Sequence, residues 1–305
     1  MTLDYAAVNK AILDGRDIDE RVVSKNDDFY TYLLNNKVAY YYASVLSTRP
    51  TPAEARILEK GKYFQARYEK TMQLIQKVCS DNNIPYLLYK THKYIPGMMD
   101  GDIDLLVSKE HFDRFLQYFT QLGFKTAEDE PGKGKCEHPD YCLIEPHTNV
   151  SWQGGEYLKD NLLWANPRQV SVGGQRYHTV SYEVEMLAVL SMILFSPEYL
   201  DLYSLKTMHY FDEQRMDKKT MLANSVHPKL TEEILIFYEK LVVPYSKKMP
   251  LFLPNTTFTR LWTKHFLSQK NIKLYLLHLL FFFYWKYRYR LIDKLPFTHH
   301  HDWQH

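Results

Sequence analysis

Asp100-Gly-Asp-Ile-Asp-Leu-Leu-Val107 is the stretch on which the reading of this chain turns. Its part from Asp102 to Val107 reads as a β-strand, with Ile103, Leu105 and Val107 apolar as a mostly buried strand requires. Side chains alternate along a strand, so Asp102 and Asp104 project the same way, about 7 Å apart. Two carboxylates at the end of a buried strand are costly unless something cationic sits between them. A divalent cation meets that demand, and oxygen ligands favour Mg²⁺ or Mn²⁺. An acidic turn before the strand accounts for Asp100 and can extend to Asp102, but leaves Asp104 in an apolar run unexplained. A calcium loop needs glycine after the third aspartate and glutamate at position twelve, where this chain has Leu105 and His111. A chance D-x-D is the remaining reading, and the surroundings weigh against it.

Before the stretch, Pro52 to Ser80 carries Ile57, Tyr63, Phe64, Tyr68, Met72, Leu74, Ile75 and Val78 at helical spacing, and Asp81-Asn82-Asn83 ends that helix with turn residues. Ile84 to Tyr89 is a short apolar run bounded by turn residues, a buried-strand pattern. A loop from Thr91 to Gly101 follows, with Pro96-Gly97 inside it. After the stretch, Glu110 to Leu122 reads as a helix, and Tyr141 to Trp152 and Gln175 to Val180 as strands. From Ser181 onward the pattern is helical: Tyr182–Phe195, Leu200–Gln214, Leu230–Leu241 and Thr256–Ile292. The expected fold class is α+β, a mixed β-sheet core with helices before and after it. The expected division is an N-terminal helical lead-in over 1–55, the core over 56–180, and a C-terminal helical domain over 181–305.

The order of helix, strand ending Leu88-Tyr-Lys-Thr91, loop and D-I-D-L-L-V resembles the nucleotidyltransferase superfamily to which DNA polymerase beta belongs. More narrowly, the chain is similar to a family of uncharacterised bacterial and archaeal nucleotidyltransferases with a K-G…D-x-D-L-L-V…H-W pattern. Lys90-Thr91 matches the Lys-Gly at the lysine, Asp102–Val107 matches without a gap, and Glu145-Pro-His147 matches an acid-x-His segment with Asn149 to Trp152 beyond it. The lead-in Asn36-Lys-Val-Ala-Tyr40, then Leu46, is also similar, and the resemblance covers roughly residues 35 to 215. It implies a nucleotidyltransferase-type sheet and a two-metal transfer of an NMP from an NTP to a hydroxyl acceptor, whether a small molecule, a protein or an RNA end. Asp102, Asp104 and Glu145 would be the catalytic and Mg²⁺ (or Mn²⁺) residues, and Lys90, Thr91 and Lys93 the nucleotide-binding ones. Two departures bear on this. Thr91 stands where the family has glycine, placing a Cβ near the phosphates. Pro146 follows Glu145, and since proline suits edges and bulges, Glu145 is expected at one of these. The departures also motivate the alternative of an interaction or regulatory protein that kept the fold and lost turnover.

Composition agrees with a globular protein: 305 residues, 45% hydrophobic and 24% charged, with glycine and proline too few for a collagenous or low-complexity chain. Three cysteines argue against a disulfide framework and for a reducing, cytoplasmic setting. Met1–Asp17 has no basic segment followed by an apolar one, so secretion is not expected. The net charge of +2 hides an asymmetry, because Asn255–Lys294 holds eight Lys/Arg against Asp293 alone and the rest of the chain is acidic. Such a basic end suits phosphate-bearing partners, including RNA. Leu274–Trp285 is too short an apolar run to span a bilayer. It reads as a buried helix or, with Lys286-Tyr-Arg-Tyr-Arg290 behind it, as an interfacial helix of a peripheral membrane enzyme acting on a lipid- or glycan-linked acceptor. Cys136-x-His138-x-x-x-Cys142 has metal-ligand residue types but no fourth partner at a recognisable spacing. The tail Thr298-His-His-His301 with His305 is expected to be without structure.

Overall fold

The computed structural model describes residues 3–18, 24–90, 95, 97–98, 101–152, 155–156, 158, 160–195, 201–214, 216–225 and parts of 228–236. Thr91, Lys93, the basic segment 255–294, the apolar run 274–285 and the His-rich tail lie outside the described residues.

Two short helices come first, α1 (Tyr5–Asp14) and α2 (Asp27–Asn35), capped by the side chains of Asp4 and Asn26. A single turn, α3 (Ala39–Tyr41), runs on into a π-helical turn over Tyr42–Leu46. The long helix α4 (Pro52–Asp81) starts with a reciprocal cap: the Thr51 hydroxyl accepts the Glu54 amide, and the Glu54 carboxylate accepts the Thr51 amide at 2.7 Å. Pro52 fits its first turn, where no intrahelical N–H is needed.

The strands follow: β1 (Tyr86–Leu88), β2 (Asp102–Val107), β3 (Lys125–Glu130), β4 (Lys133–Glu137) and β5 (Leu143–His147). Helix α5 (Phe112–Gln121) lies between β2 and β3. A small antiparallel pair, β6 (Ser151–Trp152) and β7 (Gly155–Glu156), and the helix α6 (Asp160–Leu163) precede β8 (Arg168–Val172) and β9 (Gln175–Thr179). Then come α7 (Tyr182–Phe195), α8 (Leu202–Glu213) and α9 (Lys218–Asn224). Seven strands form one mixed sheet in the order β3-β4-β5-β2-β1-β9-β8. β2 runs antiparallel to β1 and parallel to β5, and β1 runs parallel to β9. The chain therefore has the expected α+β class, a mixed sheet with helices before and after.

Each face of the sheet has its own core. Ile103, Leu105 and Val107 pack with Leu88, Ile144, Phe115 and Phe119, and with Tyr68, Met72 and Ile75 of α4. Leu87, Tyr89 and Leu106, which alternate with those residues, join the other cluster, built from α1, α2, α7 and α8. Asp102 and Asp104 share the parity of Leu106, so they belong to this second face.

The segment around β5 carries two corrections. The segment Tyr141–Trp152 is not one strand, because the chain leaves the sheet after His147, where Thr148 donates its amide to the Gly132 carbonyl at 2.8 Å. Nor does Pro146 put Glu145 on an edge or at a bulge: β5 lies inside the sheet, between β4 and β2. The proline gives up one ladder N–H, but the pairing continues at Lys133↔His147 and Cys136↔Ile144 on one side and through Asp104↔Glu145, Leu105↔Pro146 and Leu106↔His147 on the other.

Candidate functional site

The parallel register of β2 and β5 sets Asp104 opposite Glu145 and Leu106 opposite His147. Alternation then brings Asp104, Glu145 and His147 to one face. One ligand atom from each of the three lies within 4.8 Å of the other two. Asp102, opposite Leu143, is half-buried on the same face of β2 and is not part of that close group. Asp104 is 8% exposed and His147 3% exposed, so both charges and ring nitrogens must find partners inside the protein.

They do. His147 Nε2 lies 2.9 Å from Asp104 Oδ1, and Lys90 Nζ lies 3.6 Å from the same oxygen. Lys133 Nζ, from β4, is 4.0 Å from Glu145 Oε2. Burial would raise the Asp104 pKa, but the Lys90 ammonium and the His147 hydrogen bond outweigh it and hold the carboxyl at about 2. Burial drives the His147 imidazole down to about 4, against the pull of Asp104. His147 is thus neutral near pH 7, and its bond to an ionised Asp104 requires the tautomer with the proton on Nε2. Glu145 is shifted up, first by burial and then by the charge of Asp104. Burial works against the Lys90 ammonium, yet the Asp104 carboxylate keeps its pKa above the ordinary lysine range. Tyr89, fully buried, backs the cluster: its ring meets His147 edge-on with centroids 5.1 Å apart, and Lys90 Nζ sits 4.9 Å from its centre.

Residues 25–196, more than half of the chain, match the family described as uncharacterised nucleotidyltransferase. The chain belongs to this family. No curated protein matches it. Among solved structures it is similar to the lincomycin-bound lincosamide antibiotic adenylyltransferase LnuA, at 16% identity over 47% of this chain and 96% of that one, with a TM-score of 0.37. It is also similar to the antibiotic-resistance factor ANT(2'')-Ia, in solution (10% identity, 56% and 89% coverage, TM-score 0.40) and in complex with adenylyl-2''-tobramycin (13% identity, 55% and 94% coverage, TM-score 0.38).

In this nucleotidyltransferase, Lys90, Asp104 and Glu145 come together at one place, with Asp102 along the strand, while Thr91 and Lys93 lie outside the described residues. His147 and Lys133, which the sequence left unassigned, lie against Asp104 and Glu145 in the same cluster. The signal for His147 was the spacing itself, since a residue two places from Glu145 on a strand shares its face. Lys133 had none, because a lysine in Pro131-Gly-Lys-Gly134 reads as a solvated turn. Cys136 and Cys142 are buried free thiols, burial pushes the Cys136 thiol up to about 12, and among the described residues neither belongs to a group of side chains close enough to share a metal. His138 packs against Phe124 and Tyr141, with ring centres 4.9 and 5.1 Å away. Among the described residues no helix is long and apolar enough to cross a membrane.

Proposed function

We propose that this chain transfers a nucleotidyl group from an NTP to a hydroxyl acceptor and that Asp104, Glu145 and Asp102 hold a divalent cation in doing so. The observation that supports this most is the pairing of Asp104 with Glu145 on adjacent central strands, with two lysines beside them. The residues fit a hard cation: the proposed donors are carboxylate oxygens, and the His147 imidazole beside them is engaged with Asp104 as its hydrogen-bond donor. Mg²⁺ or Mn²⁺, when bound there, supplies positive charge to the phosphates and lowers the pKa of an acceptor hydroxyl.

The chain's own residues have separate tasks. Asp104 is held ionised and ready to ligate by Lys90 and His147. His147, kept neutral, donates to Oδ1 and fixes the carboxylate's orientation. Lys90 and Lys133 neutralise the carboxylates before substrate arrives. As the phosphates enter, both ammoniums exchange a carboxylate for a phosphate oxygen, and they stabilise the charge that develops on departing pyrophosphate. Glu145 is shifted upward first by burial and then by Asp104, and a cation sharing the site would favour its carboxylate form.

Transfer of label from each of the four α-labelled NTPs, in Mg²⁺, to pooled small-molecule and RNA acceptors tests the reading. Asp102→Ala and Asp104→Ala should each abolish transfer and leave a folded protein. Undiminished transfer by either variant ends the assignment.

A further inference from the structure

Outside the acid and lysine cluster, Glu185 on α7 is a wholly buried acid with both oxygens bonded and no task in the scheme above. Its Oε2 accepts the backbone N–H of Lys90 at 2.9 Å. Its Oε1 lies 3.1 Å from the hydroxyl of Thr179, and that hydroxyl lies 2.8 Å from the carbonyl of Leu88. A hydroxyl has one proton, while a carbonyl and a carboxylate oxygen would each claim it. The count closes when Oε1 carries a proton of its own. Glu185 then donates to Thr179, Thr179 donates to Leu88, and Oε2 accepts from Lys90. Burial pushes the Glu185 carboxyl up to about 8, against the charge of Arg168 and the hydrogen bonds with Thr179 and the Lys90 amide, and the charge of Asp104 adds to the rise.

The bond to Lys90 falls at a strained point. Lys90 has φ of 50°, in the left-handed region that residues with a Cβ avoid. Such a conformation persists only where the surroundings fix it. Here they act from both sides: the Tyr89 amide donates to the Asp104 carbonyl at 3.2 Å, and Glu185 takes the next amide. The turn ends a strand beside the acids, and its side chain reaches Asp104.

We propose that Glu185 is a positioning residue for nucleotidyl transfer, a neutral carboxyl group that pins the left-handed turn at Lys90 so that its ammonium stands beside Asp104, where the nucleotide phosphates bind. This rests on the transfer reading above. The test is the affinity of the full-length chain for each of the four NTPs with Mg²⁺, by calorimetry, alongside melting temperature. Glu185→Gln should bind as wild type does, because an amide accepts from Lys90 through its oxygen and donates to Thr179 through its nitrogen. Glu185→Leu should remain folded and bind about tenfold or more weakly. If that variant does not fold, Glu185→Asp, one methylene short of Lys90, carries the same expectation. Wild-type affinity in a folded Leu or Asp variant overturns the proposal, as does a Gln variant as weak as the Leu one. Wild-type protein that binds none of the four NTPs overturns the transfer reading itself.

Discussion

Ile103, Leu105 and Val107 on one side of β2 and Asp102 and Asp104 on the other are neighbours in sequence held in place by opposite physics. The first three are fully buried under α4 and α5, where removal from water contributes about 1.5–3 kcal/mol per side chain. The aspartates gain nothing from burial. Asp104 keeps its charge only because Lys90 and His147 were brought to it from other strands and turns. One strand thus stores stability on one face and, in the proposed function, chemistry on the other, and substitutions should separate the two.

The widest separation is expected at Asp104. Asp104→Asn keeps the shape and should lower transfer by roughly 10³-fold or more, since one decade of rate is about 1.4 kcal/mol and a lost cation ligand removes several. Its melting temperature should stay near that of wild type. Leu105→Ala, one residue along, should do the reverse: a loss of about 2–5 kcal/mol in denaturant unfolding, with activity per folded molecule retained. If both variants lose activity and stability alike, the two faces are not separable. His147→Gln comes next, with about a 10- to 100-fold loss of transfer from a misoriented Asp104. Last is Lys133→Met, which removes a half-buried ammonium and should change the KM for NTP by a few-fold and leave stability nearly unaltered.

Acid sharpens the same comparison. An unfolded histidine takes a proton near 6.5, while folded His147 resists to about 4. Unfolding therefore takes up a proton in that window, so this contribution is complete above pH 6.5 and is lost as pH falls through 4. The melting temperature should drop more between pH 7 and 4.5 in wild type than in His147→Gln. Glu185 has the opposite sign. Raised from 4.5 to about 8, it contributes most below pH 4.5 and loses that contribution as pH rises through 8. Glu185→Gln should flatten the alkaline limb and not the acid one.

Much of the central sheet was legible because apolar pattern and burial coincide there. β2 runs over the six residues that the sequence marks, and β1, β9, α4 and α7 fall within a few residues of expectation. The hairpin β3–β4 was not legible. Lys125–Glu137 is rich in charge, its edge strand β3 is mostly exposed, and only Gly134 and Cys136 of β4 are buried. β8 left a signal that went unused: Val170 and Val172 alternate before Gly173-Gly174, which join β8 to β9 with positive φ at both residues, as a two-residue hairpin turn demands. At the site, Asp104 stood out as an acid in an apolar run, Asp102 by sharing its face of the strand, and Glu145 through the resemblance to the family's acid-x-His segment. Glu185 did not, because its partner Lys90 lies 95 positions earlier and only the parallel pairing of β1 with β9 brings them together.

Anomalous diffraction from crystals soaked with Mn²⁺ and a non-hydrolysable NTP addresses the central claim most directly. The account predicts a Mn²⁺ peak ligated by Asp104 and Glu145, with the phosphates toward Lys90. A peak at other side chains, or nucleotide bound with both carboxylates still closed on their lysines, would contradict it.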